Sequence, residues 1–174
     1  DYDETLPPIK PSGDKTIQTN SSMPGAHFKT SPDGWGPDNY LSWMDLLHPY
    51  VKSWQVFSCS SAIAPDQCSY GYNGYLNGMF TGWLTGSYVP LKMGQIKRPA
   101  QCVEALDYNI GYGSYANPAE PLGTSNAWLS AYVKLHNNGA NITFVDGHVK
   151  WMGINSEAFS PVDWNNSLWV PTTD

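Results

Sequence analysis

Residues 140–152 read ANITFVDGHVKWM, and this stretch decides the fold of the chain. Apolar and polar residues alternate on both sides of a central Asp146-Gly147 pair, as they do in strands that bury one face. Asp tolerates the left-handed backbone conformation and Gly adopts it freely. Asp146 and Gly147 are therefore expected to form a two-residue turn with both residues at positive φ. The sequence predicts a β-hairpin over residues 140–152.

Length and composition place this hairpin in one small domain. The chain has 174 residues, which is enough for one domain with its own core and predicts a single globular unit over 1–174. It contains 16 Gly and 14 Pro, so long helices cannot dominate and turns must be frequent. Composition therefore favours a body that is rich in β-strands or loops.

The first third of the chain predicts one short helix. Residues 1–38 are rich in Pro and Gly but carry apolar anchors such as Leu6, which indicates an irregular wrapping segment. A cap at Asp38-Asn39 precedes apolar residues at helical spacing, and Pro49 is expected to end that helix.

The rest of the chain predicts short strands and a tail. Strands are expected at Trp54–Phe57, in the alternating ring-bearing stretch Ser69–Leu76, and at Val103–Asp107. Residues 153–174 contain Trp and Pro without a periodic pattern, and we expect this tail to lie against the body.

The charge of the chain argues against a nucleic-acid partner. Lys and Arg total 9 against 15 Asp and Glu, which gives a net charge of −6, and no basic cluster is longer than Lys97-Arg98. Phosphate neutralisation therefore has few cations to use. No run of 18 apolar residues is present either, so these residues include no predicted membrane-spanning helix.

The hairpin also belongs to a longer motif. His136 is followed by nine residues and then by Asp146-Gly147, and this passage resembles the signature of the prepilin-type H-X9-DG proteins, a family of type IV pilin-like and pseudopilin-like proteins. Further stretches resemble that family in the same order along the chain: Asp1–Pro7, Trp43–Lys52 and Ser69–Asn73.

The resemblance implies an α+β pilin-like head with a small antiparallel β-sheet, one short helix and long irregular loops. In this family a long apolar N-terminal helix precedes the head, sits in the membrane and later packs in a filament core. Because the sequence starts at Asp1 without Met, we expect that helix to have been lost upstream. The membrane would be contacted only through it, and the surface on which it docks would be exposed or covered by something else.

The function implied by the resemblance is that of a non-enzymatic structural subunit. Such a subunit self-associates in an extracellular or cell-surface filament of the bacterial envelope. His136 and Asp146 have the chemistry of a catalytic pair, but we interpret them as structural: Asp146 and Gly147 form the turn, and His136 bonds to backbone or to Tyr and Asp neighbours. No catalytic residue is predicted, because the sequence carries none of the common nucleophile or phosphate-loop motifs.

The three cysteines allow one disulfide. Cys59 and Cys68 are separated by eight residues of loop-like sequence and are predicted to form a disulfide that closes a small loop, as in an oxidising, exported setting. The alternative is a pair of buried free thiols in a reducing compartment. Cys102 is then left over, either buried or paired with a residue upstream of the chain.

A cofactor is not required by the sequence, although calcium is a candidate. The carboxylates of Asp1, Asp3 and Glu4 are closely spaced hard-oxygen ligands of the kind that calcium takes. Zinc is disfavoured, because no two of the four His residues are spaced i, i+4 and no Cys-x-x-Cys occurs.

The many aromatic rings leave two interpretations open. They fill the core and subunit contacts, or they form a sugar-stacking platform, in which case the protein is a surface carbohydrate-binding or adhesive module with a glycan partner. A secreted hydrolase is a third and weaker alternative. The rings concerned are Tyr70, Tyr72, Tyr75, Trp83, Tyr88, Trp128, Trp164 and Trp169.

Overall fold

The computed structural model describes residues 5–7, 43–61, 69–76, 89–107, 136–156, 168 and 171. These residues form one α-helix, four β-strands and three single-turn 3₁₀ helices. In chain order they are α1 (Trp43–Val51), a 3₁₀ turn (Trp54–Phe57), β1 (Tyr70–Tyr72), 3₁₀ turns at Met93–Gln95 and Pro99–Gln101, β2 (Val103–Asp107), β3 (Gly139–Phe144) and β4 (Val149–Gly153). A small antiparallel sheet with few helical elements is compatible with the expected α+β class.

The four strands form one sheet in the order β1-β2-β3-β4, and all neighbours are antiparallel. Strands β3 and β4 pair from Gly139↔Gly153 to Thr143↔Val149, which confirms the predicted hairpin. Strand β2 lies where the sequence predicted it, between β1 and the hairpin.

The turn of this hairpin differs from the predicted one. The N–H of Phe144 donates to the carbonyl of His148 (2.9 Å), and the N–H of Gly147 donates to the carbonyl of Phe144 (2.8 Å). Gly147 has a φ of +90°, whereas Asp146 is not among the residues with positive φ. The pattern is that of a three-residue loop ending in a left-handed glycine, which needs only one residue at positive φ. The prediction of a two-residue turn with a left-handed Asp146 was wrong.

One face of the sheet carries α1. We call it the helix face, and on it Tyr72 of β1 packs with Trp43 of α1, whose ring also meets Phe57 edge-on; both pairs of ring centroids are 5.6 Å apart. Partners in neighbouring strands share a face. The helix face therefore continues from Tyr70, Tyr72, Ala105 and Asp107 onto Asn141, Thr143, Val149 and Trp151. The opposite face buries Leu106, Ala140, Ile142, Phe144 and Met152.

Helix α1 does not end at Pro49, as the sequence predicted, but continues to Val51. Proline lacks the N–H that would bond to the carbonyl four residues earlier, so it removes one bond near the end of a nine-residue helix. The first residue after the helix, Lys52, ends it: Lys52 has a φ of 56° and donates its N–H to the carbonyl of His48 (2.8 Å). The predicted cap at residues 38 and 39 lies outside the described residues.

Two predicted strands were wrong in type or length. Trp54–Phe57 is a 3₁₀ turn, which buries Phe57 against Trp43 of α1 and leaves Val56 exposed. Strand β1 stops at Tyr72, and the side chain of the buried Asn73 forms the turn that follows. Its Nδ2 donates to the carbonyl of Val103 (2.7 Å), and its Oδ1 accepts the N–H of Tyr75 (3.0 Å).

The wrapping segment and the tail touch the body where the structure describes them. Leu6 is buried in the same apolar cluster as Trp43 of α1, and it donates its N–H to the carbonyl of Leu91 (3.0 Å). The carbonyl of Leu168 accepts the N–H of Val103 (2.8 Å). Over the described ranges, no helix has the length and apolar character needed to span a membrane.

Candidate functional site

The two ends of the H-X9-DG motif lie far apart. His136 precedes β3 and Asp146 follows it, and a strand of six residues is about 20 Å long. The two side chains therefore cannot act on one substrate atom, and each must be understood from its own surroundings.

Asp146 holds the hairpin turn. Its Oδ1 accepts the backbone N–H of His148 (3.2 Å) and also forms a hydrogen bond with Nδ1 of the His148 ring. The ring of His148 stacks on Phe144, with centroids 4.2 Å apart. The hydrogen bond from the His148 side chain, and then the one from its backbone, lowers the pKa of the Asp146 carboxyl. This geometry agrees with a turn-capping role for Asp146.

The start of the motif is a second tight turn, which was not predicted from the sequence. His136 and Gly139 exchange both backbone hydrogen bonds (3.4 and 3.2 Å). Between them Asn137 and Asn138 have φ values of 54° and 60°, the two consecutive left-handed residues of a type I′ turn. The Asn-Asn-Gly sequence carries the signal for this turn, since Asn is the non-glycine residue that enters this region most readily.

The indole of Trp151 closes this end of the hairpin. Its Nε1 donates to the carbonyl of His136 (2.9 Å). A Cβ added at Gly139 would lie 2.6 Å from Cζ2 of Trp151 and nearer still to the carbonyl oxygen of Met152, and one added at Gly153 would lie 3.3 Å from the indole. The paired glycines of β3 and β4 thus leave the space that the ring occupies.

The β3–β4 half of the helix face is open to solvent. On β4, Val149 is 62% exposed and Trp151 is 49% exposed. Asn141 on β3 is exposed as well. The β1–β2 half of the same face is covered by α1 and the 3₁₀ turn that follows it. We call the open half, defined by Asn141, Thr143, Val149 and Trp151, the open patch. It lies at one edge of the described sheet.

A polar cluster lies at the His136 end of the sheet. Nε2 of His136 is 3.6 Å from Sγ of Cys59 and also 3.6 Å from Oδ2 of Asp107. That carboxylate oxygen accepts the backbone N–H (2.7 Å) and the side-chain amide (2.9 Å) of Asn141. The sequence predicts Asp neighbours for His136 but gives no sign of its contact with Cys59, because the two residues are 77 positions apart.

The predicted disulfide between Cys59 and Cys68 is not formed in this structure. Cys59 is a free thiol, and its sulfur faces the imidazole of His136. Cys68 lies outside the described residues. Cys102 is also a free thiol and is buried, which is one of the two alternatives left open for it.

A second polar pair, Tyr72 of β1 and the half-buried Glu104 of β2, lies on neighbouring strands. The hydroxyl of Tyr72 donates to Oε1 of Glu104 (3.2 Å). Burial raises the pKa of Glu104, although the hydrogen bond from Tyr72 opposes the shift. Burial, and then the charge of Glu104, raises the pKa of the Cys102 thiol to about 12. Burial likewise raises the pKa of Tyr72.

The predicted calcium ligands and most of the candidate sugar-stacking rings cannot be placed. Asp1, Asp3 and Glu4 lie outside the described residues, and within the described part no three His, Cys, Asp or Glu side chains are arranged to hold a metal ion. Of the eight rings, Tyr72 is buried, Tyr70 and Tyr75 are half-buried, and the other five lie outside the described residues.

The comparisons with known proteins give no relative. No protein-family model matches this sequence, no curated protein is significantly similar to it, and no solved structure is significantly similar to its fold.

Proposed function

We propose that this chain is the head of a pilin-like or pseudopilin-like structural subunit that self-associates in a filament at the cell surface or outside the cell. The open patch is the observation that carries the proposal. It presents Val149 and Trp151 to solvent on the same face on which α1 buries its own apolar side chains.

The composition of the open patch suits a protein contact. Trp is enriched at the centres of protein interfaces, where a large ring is buried with polar groups at the rim. Asn141 and Thr143 supply polar groups beside Trp151 and Val149 on neighbouring strands. The indole is already fixed by its bond to the His136 carbonyl, so little side-chain entropy is lost when a partner covers it.

The H-X9-DG motif has a structural role in this proposal. Its glycine, asparagine and aspartate residues form the two turns that bound β3, and Trp151 follows the motif on β4. The motif thereby fixes the hairpin that carries the open patch. No step of chemistry is assigned to His136 or Asp146 as a pair.

The test is assembly of the full-length gene product, including whatever precedes residue 1. Electron microscopy of the wild-type protein is expected to show filaments, and Val149→Lys is expected to abolish them by placing a charge in the contact. Val56→Lys is the matched control, because Val56 is also exposed but lies on the 3₁₀ turn and not on the sheet.

Two outcomes would contradict the proposal. The first is a full-length wild-type protein that stays monomeric at every concentration tested. The second is a loss of assembly that is equal in the Val149→Lys and Val56→Lys variants, since that would place the contact elsewhere. Circular dichroism of both variants checks that the fold is retained.

A further inference from the structure

The cluster at the His136 end of the sheet has a chemistry that a structural subunit does not require. It brings together a thiol, an imidazole and a carboxylate from three separate parts of the chain. We propose that Cys59 is a modification site, at which its thiol attacks a small organic disulfide while His136 accepts the thiol proton.

The backbone holds Cys59 at this position. Its N–H donates to Oγ of the buried Ser69 (2.8 Å), and the N–H of Ser69 donates to the carbonyl of Phe57 (2.8 Å). These bonds tie the residue to the start of β1, opposite the end of β2. Cys59 is half-buried and the side chain of His136 is 32% exposed, so neither residue is sealed from solvent.

The geometry defines what each group can do. Nε2 of His136 faces both Sγ and Oδ2 of Asp107, so it cannot accept the thiol proton and donate to the carboxylate at the same time. Before reaction, an unprotonated Nε2 accepts the S–H. After the proton has moved, Nε2–H lies between the thiolate and the Asp107 carboxylate, which stabilises the imidazolium by its charge. Asp107 is thus a positioning residue, held in place by Asn141.

The step balances without any further reagent. Sγ attacks one sulfur of the small disulfide, a new Sγ–S bond forms, and the original S–S bond breaks with its electron pair on the second sulfur. That sulfur takes up the proton released through His136 and leaves as a thiol. Cys59 is oxidised to a mixed disulfide and the departing half is reduced.

Cys102 provides an internal contrast. It is buried in the apolar core, and its thiol donates to the carbonyl of Val103 (3.9 Å). Buried thiols of this kind are inert. The proposal therefore requires modification of Cys59 before Cys102.

The experiment measures the reaction with dithiodipyridine, a small disulfide whose released half is coloured, in a Cys68→Ser background. Cys59→Ser is expected to abolish the fast reaction. His136→Asn is expected to slow it about tenfold at neutral pH, where an unassisted thiol is only a few per cent ionised. The rates of the two proteins should converge in alkaline solution, because thiols then ionise without help.

A second measurement does not depend on any His136 variant. At neutral pH the thiol of Cys59 should react faster in the folded protein than in the same protein unfolded in urea, although folding half-buries it. Equal rates with and without His136, slower reaction when folded, or first labelling at Cys102 by mass spectrometry would each overturn the proposal. A Cys59–Cys68 disulfide in the purified wild-type protein would overturn it as well.

Discussion

Residue 139 must be glycine because the indole of Trp151 lies over it. In Gly139→Ala the new methyl group would overlap the ring and the Met152 carbonyl, so either the ring or the strand must move. Overpacking of this kind costs about 2 kcal/mol. We expect a loss of that size in the free energy of unfolding, measured with urea, together with a change in the tryptophan fluorescence.

The matched control is Gly94→Ala. A Cβ at Gly94 meets nothing within 4 Å, and this glycine has no positive φ. The variant should stay within about 0.5 kcal/mol of the wild type. Equal losses at both positions would show that the indole does not determine the choice of glycine at 139.

Glu104 makes the stability of the protein depend on pH. Burial raises its pKa above the ordinary value of 4.5, so the folded state holds the proton more tightly than the unfolded state. The contribution of Glu104 is fully present below pH 4.5 and is lost as the pH rises through the raised pKa. Glu104→Gln should therefore gain stability relative to the wild type between mildly acidic and neutral pH, as measured by urea unfolding at each pH.

Asp146 changes the stability with pH in the opposite direction. Its pKa is lowered by His148, so its contribution is present above the ordinary value of 3.8 and is lost as the pH falls through the lowered pKa. The difference between Asp146→Asn and the wild type should shrink in acid, whereas that for Glu104→Gln should change between acid and neutral pH. A flat difference for Glu104→Gln would contradict the assignment.

At the scale of the element, the end of α1 is set by Lys52 rather than by Pro49. Lys52 has a φ of 56°, a conformation that glycine adopts without the penalty of a side chain. Lys52→Gly is expected to raise the free energy of unfolding by about 1 kcal/mol. Val51→Gly, one residue earlier and inside the helix, should lower it by about 0.4 kcal/mol. A loss of stability in both variants would show that the left-handed residue does not determine where the helix ends.

The strands show which elements hydrophobic periodicity predicts and which it does not. The hairpin and β2 follow from alternation, because one buried face requires a period of two. Residues Trp54–Phe57 are of similar type but form a 3₁₀ turn, because Phe57 packs in the cluster around Trp43. In the same way, β1 ends at a turn in which the side chain of Asn73 donates a hydrogen bond to Val103, 30 positions away.

At the scale of the molecule, net charge opposes association. Subunits that each carry a charge of −6 repel one another, and salt screens that repulsion. If the apolar open patch drives assembly, sedimentation velocity should show more association as salt is added, and also as the pH approaches the isoelectric point of about 5.0. Association that weakens with salt would indicate a contact made by charge pairs and would count against the open patch.

The sequence by itself determined the hairpin, the strand β2 and the low-charge, turn-rich character of the chain, because these depend on local patterns and on composition. Tertiary structure alone decided which half of the helix face is covered, why positions 139 and 153 carry glycine, and which groups surround His136. The cluster of Cys59, Asp107 and His136 joins residues from separate strands and turns. No pattern in the sequence indicates that these three residues lie close together, since their contact depends on how the strands are ordered in the sheet.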